Sequence, residues 1–127
     1  MIQARFIIET QGNKKNYVEN VLKKHVEQMK MMKGVEVYDV KFEPTEKVGE
    51  LFSALADVGI KTESFEAFFA ALMGFAPTAV VFESTEPITV EIRELQNVTN
   101  DIMQLFHLMA QKNLELKLRL SAKNQKA

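Results

Sequence analysis

Apolar residues recur at two different periods along the last third of the chain. From Arg93 onward, Leu95, Val98, Ile102, Leu105 and Met109 are spaced three and four apart, the period of an amphipathic helix. At Asn113 the period changes to two: Leu114, Leu116, Leu118 and Leu120 alternate with Glu115, Lys117 and Arg119, the pattern of a half-buried strand. The spacing therefore predicts a long helix returning into a strand, followed by a polar, disordered tail over 121–127.

The same reading runs along the rest of the chain. Ile2, Ala4, Phe6 and Ile8 alternate with Gln3, Arg5, Ile7 and Glu9 and predict a first strand. A turn over Thr10–Asn13, with Asn13 as helix cap, leads into a helix reaching about Lys33. Its stripe is Val18, Leu22, His25, Met29 and Met32, and Gly34 stops it. Val35–Glu43 is a second strand in which Val35 and Val37 are out of phase with Tyr38, Val40 and Phe42, so a bulge is expected near Val37. Val48, Leu51, Phe52 and Leu55 predict a second helix between Pro44 and Gly59. Phe65, Phe68, Phe69, Leu72 and Met73 predict a third, capped by Thr62 or Ser64 and stopped by Gly74 and Pro77. The gapless run Ala79–Phe82, inside Thr78–Ser84, reads as a central strand. Residues 88–92 fit either an extended piece or the start of the last helix.

The predicted order is β-α-β-α-α-β-α-β. The first, second and last strands each carry one polar face, which favours antiparallel pairing over a parallel sheet covered on both sides. The expected fold is α+β: a ferredoxin-like split β-α-β with a four-stranded, mainly antiparallel sheet and a helical pair inserted between strands two and three. A small doubly wound α/β sheet is the alternative. Residues 1–120 form a single domain in this reading.

Composition narrows the function more than the fold. A chain of 127 residues, 46% hydrophobic and 26% charged, has the make-up of an ordinary globular domain. It has no cysteine, which removes disulfides, thiolate metal sites and a thiol nucleophile. A net charge of −1 gives no electrostatic footprint for nucleic acid or for an anionic membrane. No apolar run approaches a membrane span of about 20 residues, and residues 1–9 read as a strand, not a signal peptide. A cytoplasmic, soluble protein is expected.

Candidate chemistry is sparse. Gly12, Asn13, Lys14 and Lys15 lie between a strand and a helix start, where an anion would be favoured. The turn holds one glycine and no Gly-Lys-Ser or Gly-Lys-Thr, so a solvated turn is the plainer reading. His25 and His107 lie on two different helices with no ligand set at recognisable spacing. No metal, cofactor or catalytic group is expected.

The apolar surplus is more informative. Phe65, Phe68 and Phe69 crowd one short helix, and Met103, Phe106 and Ala110 form a second apolar face beside the main stripe of the last helix. These residues predict a non-catalytic module that self-associates, most simply as a symmetric dimer, or docks a protein partner. The alternative is a small-molecule binder or an enzyme with a Phe- and Met-lined pocket between Phe65–Phe75 and the first helix. RNA binding across the open sheet comes third: that face lacks the stacking aromatics such sheets use.

Overall fold

The computed structural model describes residues 1–125. The chain divides into two compact units, Met1–Val90 and the segment from Glu91, where the sequence pattern suggests one domain over 1–120. The first unit holds β1 (Ile2–Gly12), α1 (Lys15–Met31), β2 (Val35–Phe42), β3 (Glu46–Val48), β4 (Leu51–Thr62), α2 (Phe65–Phe75) and β5 (Ala79–Phe82). The second holds α3 (Ile92–Gln125). Among the described residues the fold is α+β, with a five-stranded antiparallel sheet and three helices. Strands run in the order β2-β4-β1-β5, and β3 pairs with β4. Every pair is antiparallel, which removes the doubly wound alternative.

Alternation in β1 and β4 builds the core. Ile2, Ala4, Phe6 and Ile8 of β1 are buried, as are Ala54, Ala56, Val58, Ile60 and Thr62 of β4. The two strands pair over their full length, from Ile2 opposite Thr62 to Gly12 opposite Phe52. Onto this face α1 lays Val18, Leu22, Val26 and Met29, and α2 lays Phe68 and Ala71. Each fully buried side chain of this size contributes about 1.5–3 kcal/mol. Helices thus cover one face of the sheet. The other carries Gln3, Arg5 and Glu9 of β1 and Asp57, Gly59 and Lys61 of β4.

Several expectations are corrected. Pro44–Gly59 is not a helix, so no helical pair is inserted between strands two and three. A two-residue turn at Gly49–Glu50, with Gly49 at φ 64°, joins β3 to β4 in a hairpin. The spacing of Val48, Leu51, Phe52 and Leu55 imitates a helix, but the longer period-two run from Ala54 to Thr62, with β-branched Val58 and Ile60, prevails. Leu114–Leu120 is not a strand: α3 continues through it, so the sheet gains its extra strands elsewhere. Leucine, glutamate, lysine and arginine are all good helix formers, and none of the alternating residues there is β-branched. Ala79–Phe82 is an edge strand beside β1, not a central one. Residues 88–91 are irregular, and the helix starts at Ile92. The tail expected over 121–127 is helical through Gln125, and residues 126–127 lie outside the described residues.

The bulge is where the sequence places it. Val37 pairs with Ile60 and Asp39 with Gly59, which leaves Tyr38 as the extra residue. Ser64 caps α2, its hydroxyl accepting a hydrogen bond from Ala67 N–H at 3.0 Å. Lys14, not Asn13, occupies the cap position of α1 and makes no side-chain cap. Gly74 lies inside α2, which ends instead at the left-handed Ala76 (φ 42°). Among the described residues no helix is long and apolar enough to cross a membrane.

Candidate functional site

Four aromatic rings meet where α2 crosses the β5 side of the sheet. Phe68 is buried, its ring 5.8 Å from Phe6, 5.9 Å from Phe69 and 5.5 Å from Phe82. Phe65 packs against Phe69 with the rings tilted and their centroids 4.6 Å apart. Beside these rings lies an open cavity of about 370 Å³. Phe65, Phe68, Phe69 and Leu72 of α2 form one wall, and Val80 and Phe82 of β5 the other. Ile2 and Ile88 also line it, and Ser84 and Glu86 are its polar groups. Ser84 is already engaged: its Oγ accepts from Gln3 N–H at 3.1 Å and donates to the Gln3 carbonyl at 3.2 Å. The volume lies within the range of small-molecule pockets. The cavity faces β5 instead of the first helix, and no methionine lines it.

The opposite face of the sheet carries a charged cluster centred on Arg5. Its Nε donates to Asp57 Oδ1 and its Nη2 to Asp39 Oδ2, both at 2.7 Å, and Nη1 lies 3.6 Å from Glu83 Oε1. Hydrogen bonds first to Asp39 and then to Asp57 raise the pKa of the guanidinium, which stays charged throughout. Tyr38 Oη donates a hydrogen bond to Glu83 Oε1. Lys61 Nζ stands 5.1 Å from the centre of the Tyr38 ring. Cluster members come from β1, β2 and β4 and from the residue just after β5. The sequence contains the signal for much of it, since Arg5, Tyr38, Asp39 and Glu83 all lie on predicted strands. Asp57 was hidden by the helical reading of its segment.

The structure separates the remaining candidates. Gly12 ends β1 and Asn13, Lys14 and Lys15 are exposed. A Cβ on Gly12 would stand 2.9 Å from Val18 Cγ2, so close packing against α1 accounts for the glycine without an anion. His25 sits half-buried on α1, displaced from the stripe by Val26, and its Nδ1 has no hydrogen-bond partner. His107 is exposed on α3. Among the described residues no three His, Asp or Glu side chains gather as a metal would require.

The interface candidates fall on two helices. Phe65, Phe68 and Phe69 wall the cavity. Met103, Phe106 and Ala110 lie along one line of α3, with Met103 48% and Phe106 56% exposed. Farther along, Leu114 and Leu118 form one exposed line. Leu116 and Leu120 form another, about 200° away around the helix. Glu115, Lys117 and Arg119 accompany them on α3, so the charge they were expected to bring to the sheet face is not there.

Comparison with curated proteins and comparison with solved structures each return no match. A family match covers residues 3–126, and with it nearly the whole of β1 and every element that follows: the chain belongs to the MJ0538 family.

Proposed function

We propose that the protein is a non-catalytic, cytoplasmic module that self-associates, with α3 as its main association surface. The observation that carries this reading is the apolar end of α3. An ordinary surface helix has one apolar stripe; here exposed leucines run along opposite sides, Leu114 and Leu118 on one and Leu116 and Leu120 on the other. Burying both lines requires cover from two directions, as within a helical assembly. At 34 residues the helix is about 50 Å long, enough for an extensive contact. Seven-residue recurrence of Leu95, Ile102, Met109 and Leu116 suits packing of helix on helix.

Light scattering across a concentration series tests this. The wild-type chain is expected to weigh at least a dimer. Phe106→Glu and Leu118→Glu should lower the mass while circular dichroism retains the α+β spectrum. A wild-type chain that stays monomeric at high concentration overturns the reading.

The cavity supports a second reading, a binder of small apolar molecules. Its aromatic walls and two polar groups suit a ligand with an apolar body and a single polar end. A thermal-shift screen with such compounds tests it: stabilisation should disappear in a Phe69→Asp variant. RNA has less support, because Arg5 on the sheet is already matched by carboxylates.

For the fold, we read the path β1-α1-β2-β4-α2-β5 as a ferredoxin-like split β-α-β to which the short β3 is added. The sheet order and the two helices on one face support that reading.

A further inference from the structure

We propose that β5 is an association edge, through which two copies of this chain pair strand to strand, antiparallel about a two-fold axis at Val81. The inference rests on the self-association reading and adds a surface distinct from α3.

Among the described residues, β5 ends the sheet and has β1 as its one neighbour. Its register sets Val81 opposite Arg5, and Glu83 N–H donates to the Gln3 carbonyl at 2.9 Å. Backbone groups in an antiparallel ladder point alternately to one side and the other. Val81 therefore turns its N–H and C=O toward β1, and Val80 and Phe82 turn theirs outward.

The two ends of the sheet are treated differently. The β2 end has its ladder broken by the Tyr38 bulge and carries Glu36, Asp39 and Lys41. Bulges and charges of this kind protect an edge from pairing. Ala79–Phe82 has no bulge, proline or charge, and Val81 and Phe82 are 54% and 61% exposed. An edge left in this state is a template for another strand.

A second copy of β5 fits that template. With Val81 opposite its own counterpart, Val80 lies opposite Phe82 of the partner subunit, and the reverse holds. Both outward-pointing residues then exchange N–H···O bonds with their opposites. The Val81 pair is the closely spaced, non-hydrogen-bonded one. The central pairs, Val81 with Val81 and Val80 with Phe82, are apolar; Ala79 faces Glu83 of the partner subunit, and no like charges meet. The neighbouring register, Val80 against Val80, would set the bulky, outward-bonding Phe82 against Thr78 and lose its apolar pairing with Val80. Val80 and Phe82 also wall the cavity, so the pairing brings Phe82 of the partner subunit beside that wall and completes it.

The absence of cysteine makes the test direct. Facing residues of a non-hydrogen-bonded pair lie about 4.5 Å apart at Cα, within disulfide reach. Under mild oxidation of the full chain, Val81→Cys should form a covalent dimer roughly tenfold faster than Ala79→Cys, whose two copies would lie about 13 Å apart. An oligomer in which the two variants link at the same rate overturns the β5 edge and leaves α3 standing. A wild-type chain that is monomeric by light scattering overturns both.

Discussion

Tyr38 occupies the space that a side chain on Gly59 would need: a Cβ there would stand 2.6 Å from Tyr38 Cζ and 2.9 Å from its Cε2 and Oη. Gly59 has no left-handed φ, so the clash alone opposes substitution. Gly59→Ala should destabilise the protein by about 1–3 kcal/mol, the usual cost of overpacking. In a Tyr38→Ala background most of that penalty should vanish. Urea unfolding of the four proteins of this cycle measures the coupling, and equal penalties in both backgrounds would refute the contact as the cause.

Gly74 is the opposite case. It lies inside α2, has no left-handed φ, and a Cβ on it would meet nothing within 4 Å. Gly74→Ala should stabilise the protein by about 0.5–1 kcal/mol, through the smaller entropy of the unfolded chain. A thermal melt should show a higher midpoint.

Ser64 closes the other end of the same helix with its bond to Ala67 N–H. Ser64→Ala should lower stability by about 1 kcal/mol. Ser64→Asp, which keeps an acceptor at the helix start, should restore most of it in the same urea assay.

Arg5→Met keeps the aliphatic stem and removes the cation facing Asp39 and Asp57. Two carboxylates then lose their partner on a half-buried face, and the variant should lose about 1–3 kcal/mol. Arg5 has its pKa raised by those bonds. A raised basic group contributes fully below its unfolded-state value, which for arginine is far above neutrality. Its protonation therefore introduces no pH dependence into the difference between wild type and variant from about pH 7 to about pH 9. A difference that falls away within that window would show that another titrating group governs the cluster.

The sequence was legible where one pattern stood alone. Ile2 to Ile8 alternates without a competing period, and Phe65 to Leu72 repeats at helical spacing behind a serine cap; both appear as expected. The out-of-phase Val37 correctly announced a bulge. Reading failed where two periods overlapped. Leu51, Phe52 and Leu55 satisfy a helix while Ala54 to Thr62 satisfies a strand, and pairing with β1 decides between them. Leu114 to Leu120 satisfies a strand by alternation, but its residues lack β-branching and prefer a helix. The excess of phenylalanine on one short helix is visible in the sequence; the cavity it borders is not. That cavity depends on Ala79–Phe82 lying at the end of the sheet, which is a fact of topology.

The reach of Arg5 also bears on how the sheet opens. β2 and β1 are not neighbours, since β4 lies between them. One guanidinium spans that gap to Asp39 on β2, and its third nitrogen lies near Glu83 beside β5. The two outer strands are thus leashed to a single central residue. Peeling away either one loosens the anchor of the other, so the margins of the sheet should fray in concert, and amide protons on β2 and β5 should exchange as one cooperative group.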